Sequence, residues 1–404
     1  MKPTFTITKI PSFLDILNFL MVLSLFVTDK SPNFFNLFDF YWFYPLYLLV
    51  IGYGIYRLGI STLLNQRWLY FVLIIASTSI ISNLIHPYSY LQLGKQIIGW
   101  LVIGYAWIIM FKLQKDRISI LNTYFSIAII AAFLTIPEQI LHVLDIHITP
   151  KKGGWLGLYR CFSFANEPFP LALLLIPCII YYIEKGSKLI VKEKIYLFLL
   201  LTALFFTFSG GGWLVIGIYF IFSAFRQTKM VYKLITGVLF LLFITSFTLY
   251  RGTQLRIKET VQLFQNFPQL PTEEVLNQTN TSSRAIYLNS ITAWHQFTAN
   301  PLLGGGLGSH GEAYDESIIQ PLEQHNIHIA HFNKFDGASG AIRWFSEMGL
   351  FGLLLFGMFV RKILRYQHKE LIAPVFGFWI AFLLHSGNYF HNGSMMWIQK
   401  IYSR

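Results

Sequence analysis

Charged residues are scarce in this 404-residue chain: Asp, Glu, Lys and Arg make up 12% of it, against 54% hydrophobic and 18% aromatic. Soluble domains carry about 25% charged residues, so this chain has too few to cover a water-exposed surface. That shortage excludes an ordinary soluble enzyme and makes the bilayer the solvent for much of the chain. Acids are fewer than bases, 19 against 31, which leaves a net charge of +12. Such an excess can mark nucleic-acid binding, but there is no Lys/Arg-rich run to form a phosphate-binding patch. Membrane proteins instead gather Lys and Arg in cytoplasmic loops. Cysteine is almost absent, with only Cys161 and Cys178. Cys178 lies about ten residues into an apolar segment, roughly 15 Å deeper if that segment is helical. A disulfide needs Cα atoms within ~7 Å, so two free thiols are expected. The first residues, MKPTFTITKIPSFLD, hold no signal-cleavage site, so the first apolar segment is expected to stay as a spanning helix.

Long apolar runs are what the chain has in abundance. A helix needs ~20 mostly apolar residues to cross the hydrocarbon core. Eleven segments qualify, near 12–28, 40–57, 68–86, 96–112, 118–141, 169–184, 195–209, 210–225, 231–250, 342–360 and 371–390. The expected fold is therefore an all-α polytopic membrane protein of about 11 (10–12) transmembrane helices. One large outer loop separates the ninth from the tenth. The short seventh and eighth segments are expected to form a tight hairpin at Ser209-Gly210-Gly211-Gly212-Trp213, because glycine lacks a Cβ. The last residues, HNGSMMWIQKIYSR, are too short and polar for a twelfth span.

With the N-terminus inside, 18 of the 31 Lys and Arg fall in short cytoplasmic connections, and only Lys30 and Lys95 fall in short outer ones. Basic residues in long loops say little about topology. The expected organisation is helices 1–5 over 1–142, a first outer loop over 143–168, and helices 6–9 over 169–250. A large outer loop over 251–341 follows, then helices 10–11 with an outer tail over 342–404. Apart from residues at their very ends, the spans hold few ionisable groups, among them Asp15, Glu138, His142, Glu347 and His385. Ion-coupled transporters bury charges near the midplane, whereas the polar groups here collect outside.

A ~90-residue loop between spans is well beyond ordinary connection lengths, and such loops are usually functional or disordered. Within it, SSRAIYLNSITAWHQF carries Ile286, Leu288, Ile291, Trp294 and Phe297 at helical spacing, with Ser282 and Ser283 as caps. ANPLLGGGLGSHG reads as a glycine-rich turn, and QLPTEEVLNQTNT as polar and mobile. Gly306 to Gly311 fits G-x-G-x-x-G, but it follows no strand and so does not point to a dinucleotide. His325, His328 and His331 stand three apart, yet this spacing drifts around a helix. No fourth ligand stands at an obvious spacing, so no metal is assigned.

Arg284, Trp294, Asn300-Pro301-Leu302-Leu303-Gly304-Gly305-Gly306-Leu307-Gly308 and Glu347-Met348-Gly349-Leu350-Phe351-Gly352 follow one another in order. Arg160 followed by Glu167-Pro168 stands before a span. In these residues and in its layout the chain resembles the O-antigen ligase and polysaccharide polymerase family of membrane proteins. Two departures stand out. The position where ligases are expected to carry histidine is Ala338, and Ser209-Gly210-Gly211 lacks the arginine often seen there.

The resemblance implies metal-independent glycosyl transfer without a cofactor. The donor and acceptor are glycans linked to polyprenyl pyrophosphate in the bilayer; a chain-length regulator and a flippase are further expected partners, and nucleic acid is not. Cations must then hold the pyrophosphate, and arginine's planar fork suits it. Arg160, Arg284 and Arg343 are the candidates; the alternative for Arg160 and Arg284 is interfacial snorkelling. Arg343 can also pair with Glu347 four residues on, on one helix face. A base must take the proton of the attacking hydroxyl. Glu167, His310 and His331 are the candidates, although a carboxylate before Pro168 also suits a helix N-terminus. Trp155 is the candidate for sugar stacking. The leading expectation is a polymerase joining lipid-linked repeat units on the outer face of the bacterial inner membrane. Ligase-type transfer to another acceptor and a transporter of small solutes or lipid-linked sugar are the alternatives.

Overall fold

In the computed structural model the described residues are predominantly helical, with no strand among them. The described residues are 12–27, 43–64, 67–114, 117–146, 158–163, 165, 167–226, 251–324, 332–365, 369–385, 389 and 394–402. The principal helices are α1 (Phe13–Phe26), α2 (Phe43–Leu58), α3 (Arg67–Ile85), α4 (Tyr90–Leu113), α5 (Arg117–Val143), α6 (Pro168–Lys185) and α7 (Val191–Phe206). They continue with α8 (Gly210–Arg226), α9 (Arg251–Phe264), α10 (Thr281–Ala299), α11 (Gly340–Leu364), α12 (Lys369–His385) and α13 (Ser394–Tyr402). Ten of the eleven apolar segments coincide with these helices; the ninth, 231–250, lies outside the described residues.

Local chemistry sets several starts. Ser12 caps α1 in a capping box with Asp15, and Ser89 caps α4. Proline opens α6 at its first position, where a missing N–H costs nothing. Arg67–Ile85, Tyr90–Leu113, Ile118–Val143 and Pro168–Lys188 are long and apolar enough to cross a membrane, and Phe13–Phe26, Gly210–Ile221 and Leu371–His385 are shorter apolar helices. Apolar side chains also face outward along α3, where Tyr70, Leu73, Ile74, Ile81 and Leu84 are exposed. Such a surface needs a lipid or protein covering.

The bundle is knitted by α6 against α12, α2 against α4, α5 against α7 and α10 against α11. α6 is its centre, with an unbroken run from Leu171 to Tyr182 buried. α13 packs on α4, with Trp397 wholly buried against Tyr124 and Phe378 and Lys400 5.5 Å from the Phe111 ring centroid. This segment, read from sequence as an outer tail, contributes core. Cys161 and Cys178 are both free thiols, as their spacing indicated.

Residues 251–324 fold around a second core of Leu263, Leu276, Tyr287, Leu288, Ile291 and Tyr314 with their neighbours. The stretch read as mobile forms a helix, Glu273–Gln278, because Leu276 enters that core. Asn280, rather than Ser282 or Ser283, caps α10 by accepting from the Ser283 amide at 3.1 Å.

The expected glycine hairpin differs as well. The turn between α7 and α8 falls at 207–209, with Phe208 at φ 46°, and Gly210 to Gly212 already lie in the first turn of α8. Their smallness serves packing. A Cβ on Gly211 would stand 2.9 Å from Phe169, and one on Gly212 would stand 2.9 Å from Leu204 and 3.0 Å from Ala172.

Candidate functional site

Polar groups converge at the end of the bundle where α5 finishes, α6 and α8 begin, α11 begins and α12 finishes. Residues 158–163 are strapped across it by the last turns of α5. Gln139 Oε1 accepts from the Tyr159 amide at 3.3 Å and the Cys161 thiol at 3.2 Å. The Glu138 carboxylate accepts from the amides of Phe162 and Ser163, at 3.2 and 2.9 Å. On its other side the strap meets the α7–α8 turn, where the Cys161 amide donates to the Phe206 carbonyl at 2.9 Å. Arg160 is thereby fixed, half-buried, with Nε donating to the Thr207 carbonyl at 3.3 Å. Burial pushes the Cys161 thiol up to about 12, so it stays neutral and structural.

Beside the strap, Glu167 is the exposed N-cap of α6 and makes no side-chain capping bond. It lies within electrostatic reach of Asp336, as do His385 at the end of α12 and Arg343 in the first turns of α11. Asp336 is half-buried, and its carboxyl is raised by desolvation, against the Ala338 amide donating at 3.0 Å and the Arg343 charge. Ser339 joins the elements: its hydroxyl accepts from Ile342 to cap α11 and donates to the Leu383 carbonyl of α12 at 2.7 Å. Glycine is required at 340, where a Cβ would stand 2.6 Å from Phe382.

Arg343 and Glu347 form the pair that their four-residue spacing suggested. Arg343 Nε donates to Glu347 Oε1 at 2.9 Å, and both side chains are almost fully buried. The Tyr389 hydroxyl donates to the other carboxylate oxygen at 3.0 Å, and the guanidinium lies 4.3 Å from the Tyr389 ring centroid. Together these contacts satisfy an acid that would otherwise be costly to bury.

The glycine-rich turn and the Glu-Met-Gly segment are each other's hydrogen-bond partners. α11 is broken at Gly349, at φ 52° and ψ −143°, which frees backbone groups on either side. The amides of Gly305 and Gly306 donate to the carbonyls of Ser346 and Glu347, both at 2.9 Å. The amides of Leu350 and Phe351 donate back to Pro301 and Leu302 at 2.9 and 3.0 Å. The turn also seats on α3, where the Leu307 amide donates to Ser79 Oγ at 3.1 Å and the Ser82 hydroxyl donates to the Gly304 carbonyl.

His310 sits beneath this turn, wholly buried. The Asn289 amide nitrogen donates to the carbonyls of Ala285 and Phe332, at 2.7 and 2.9 Å, so its oxygen faces His310 Nε2 at 2.8 Å as an acceptor. Nε2 therefore carries the proton, and Nδ1 lies 2.7 Å from Ser346 Oγ, whose hydroxyl donates to Gln296 Oε1. Burial, and secondarily the Arg343 charge, push this imidazole down to about 3. It is a neutral clamp between α10 and α11 with both nitrogens engaged.

Arg284 stands apart from these contacts. Half-buried in the first turn of α10, it donates to the Thr279 carbonyl at 3.1 Å and lies 5.1 Å from the Phe332 ring centroid. Trp155 and His331, with His325 and His328, lie outside the described residues.

Of the sequence candidates, then, the structure gathers Glu167 and Arg343 around Asp336, with His310 behind Arg343, and straps Arg160 at the same bundle end. Asp336, His385 and Tyr389 were not foreseen as members of this group. The signal open to sequence was His385, an ionisable residue at the end of an apolar segment. Residues 195–357 match the family model described as O-antigen ligase, a region that takes in Arg284, His310, Arg343 and Glu347. No curated protein and no solved structure matches the chain.

Proposed function

Because the chain carries an O-antigen ligase family region over residues 195–357, we propose that it is a polymerase of lipid-linked oligosaccharide repeat units. Membrane glycosyl transfer in glycan assembly is the activity class that goes with this family region and the apolar helices. The finer reading adds metal-independent transfer between polyprenyl-pyrophosphate-linked units on the outer face of the bacterial inner membrane. A flippase and a chain-length regulator would act beside it. Eleven spans, an N-terminus inside and outer loops over 143–168 and 251–341 complete that reading.

The observation that carries it is the gathering of Arg160, Glu167, Asp336, Arg343 and His385 where five apolar helices begin or end. A polyprenyl pyrophosphate presents its charge at such a boundary, with its tail in lipid. Arg160 would hold the pyrophosphate and stabilise the charge that grows on it as the glycosidic bond breaks, and Arg284, which stands apart from that group, is offered as a second phosphate ligand on its motif position alone. Arg343 is held in a buried, net-neutral pair with Glu347 and fixes the start of α11 beneath the site. Glu167, exposed at the rim, is suited to orient the acceptor hydroxyl. His310 has no open nitrogen, so we leave it out of the proton-transfer step.

Ligase-type transfer is the second reading, favoured by the description of the matched family and opposed by Ala338. Replacing Arg160 or Arg284 by Ala and resolving surface glycan length in the native host separates these readings. Glycans one repeat unit long, with the variant inserted at normal abundance, are expected of a polymerase; full-length polymer left off its final acceptor would identify a ligase. Wild-type polymer, correctly attached, from both variants would sink the pyrophosphate assignment.

A further inference from the structure

One side of the 251–324 unit carries a row of aromatic rings that its core only partly absorbs. Between ring centroids, Phe264 at the end of α9 lies 6.1 Å from Phe267, and Phe267 lies 6.1 Å from Trp294 of α10. Trp294 lies 6.0 Å from Phe297, which stacks on Phe345 of α11 at 4.3 Å. The row thus ends two residues past Arg343, where α11 begins. Trp294 is 40% exposed and Phe264 38%, while Phe267, Phe297 and Phe345 are half-buried. A contiguous exposed apolar surface of this kind marks a place where something binds. The surroundings say what. Residues 260–272 and 285–311 contain no Asp, Glu, Lys or Arg. The exposed polar side chains beside Phe264 and Phe267 are amides, those of Gln262, Gln265, Asn266 and Gln269. A surface seated on lipid phosphates carries Lys or Arg among its apolar groups, and none stands in these two stretches. A sugar is matched on both counts. Its C–H face packs on the electron-rich face of an aromatic ring, and its hydroxyls meet amides that both donate and accept.

We propose that Phe264, Phe267 and Trp294 form a glycan-binding track for the growing polymer, with Phe297 and Phe345 joining it to the start of α11. The inference rests on the transfer reading given above and extends it from the reacting groups to the sugars behind them. Each ring holds one sugar weakly. Several in series hold a long chain well and a single repeat unit poorly, because each further contact is made by a ligand already tethered. The track therefore keeps the polymer on the protein between transfers. Without it the chain leaves early, and the product is shorter.

The test titrates the full-length protein, purified in detergent, with lipid-free fragments of the native host's own surface polymer, one repeat unit or several units long. Wild type is expected to bind the longer fragment at least about tenfold more tightly than the single unit. Trp294→Ala is expected to lose about tenfold in affinity for the longer fragment, the scale of one stacked ring. Trp294→Leu, which stays apolar but has no ring, is expected to lose as much, and Trp294→Tyr to restore binding to within about threefold of wild type. Gln265→Ala, a change on the exposed surface, is expected to weaken binding about threefold. In host membranes Trp294→Ala and Trp294→Leu are expected to yield shorter polymer, and Trp294→Tyr polymer near the wild-type length. Wild-type affinity in Trp294→Leu assigns the row to the bilayer or to packing and overturns the proposal, as does wild-type affinity in Trp294→Ala. Normal transfer in membranes by a protein that binds no fragment sinks the track and spares the transfer reading. Length-dependent binding that Trp294→Ala loses, with no transfer in wild-type membranes supplied with lipid-linked units, sinks the transfer reading and leaves the glycan surface standing.

Discussion

His310 follows the glycine turn directly and looked, as sequence, like a general base. Its neighbours give it another task. Asn289 and Ser346, 21 residues before and 36 after it, occupy its two nitrogens, and no spacing rule connects residues so far apart. The consequence for stability has a definite sign. The folded value of about 3 lies below the ~6.5 of an unfolded chain, so the unfolded chain takes up the proton first. Stability from this group is complete above about pH 6.5 and is lost as pH falls from there toward 3. Thermal unfolding of the detergent-solubilised protein, followed by tryptophan fluorescence from pH 7.5 to 4, should show that decline. His310→Gln should have a lower midpoint at pH 7.5 and a flatter dependence below 6.5. The Arg343–Glu347 pair was legible for the opposite reason: a four-residue spacing on one helix places two side chains together whatever else the fold does.

At the level of elements, the glycines of the turn and of the broken helix form one interface. A Cβ on Gly304 would stand 2.5 Å from the Ser346 carbonyl oxygen, and one on Gly349 would stand 2.5 Å from that of Pro301. Both residues have positive φ, at 66° and 52°, which costs an L-residue about 1–2 kcal/mol before any clash. Gly304→Ala and Gly349→Ala are each expected to destabilise by at least that much, read as a lowered unfolding midpoint. Because they strain the same backbone pairing, the double variant should cost less than the two single losses together. Each glycine run was visible in sequence. That the two runs bond to each other was not, because no local pattern records which amide meets which carbonyl. The same holds for Gly211 and Gly212, whose number suggested a flexible turn and whose place is a close helix contact.

Across the whole molecule, the charge of the short loops makes a testable map. Alkaline phosphatase fused after residue 270 is expected to be active, and fused after residue 187 inactive, if the outer loops lie where the Lys and Arg distribution puts them. Activity in the reverse pattern would invert the topology. α13 gives a second handle on the same scale. Trp397 is wholly buried among helices from distant parts of the chain, so Trp397→Ala should cost about 3–5 kcal/mol and lower the yield of folded protein. Fourteen polar-looking terminal residues gave no hint of this, because burial there depends on a cleft that α4, α5 and α12 create.

Amino-acid sequence alone determined the helical class, the places where apolar segments lie, the free thiols and the Arg343–Glu347 pair. Each follows from composition or from spacing within one element, where the distance between residues is set by helix geometry. Tertiary structure decided which glycines meet, where α13 goes, why His310 is closed, and that Asp336, His385 and Glu167 share one end of the bundle. Those outcomes depend on which helix packs beside which, and a polar group placed at the end of one helix acquires chemistry only from the ends of its neighbours.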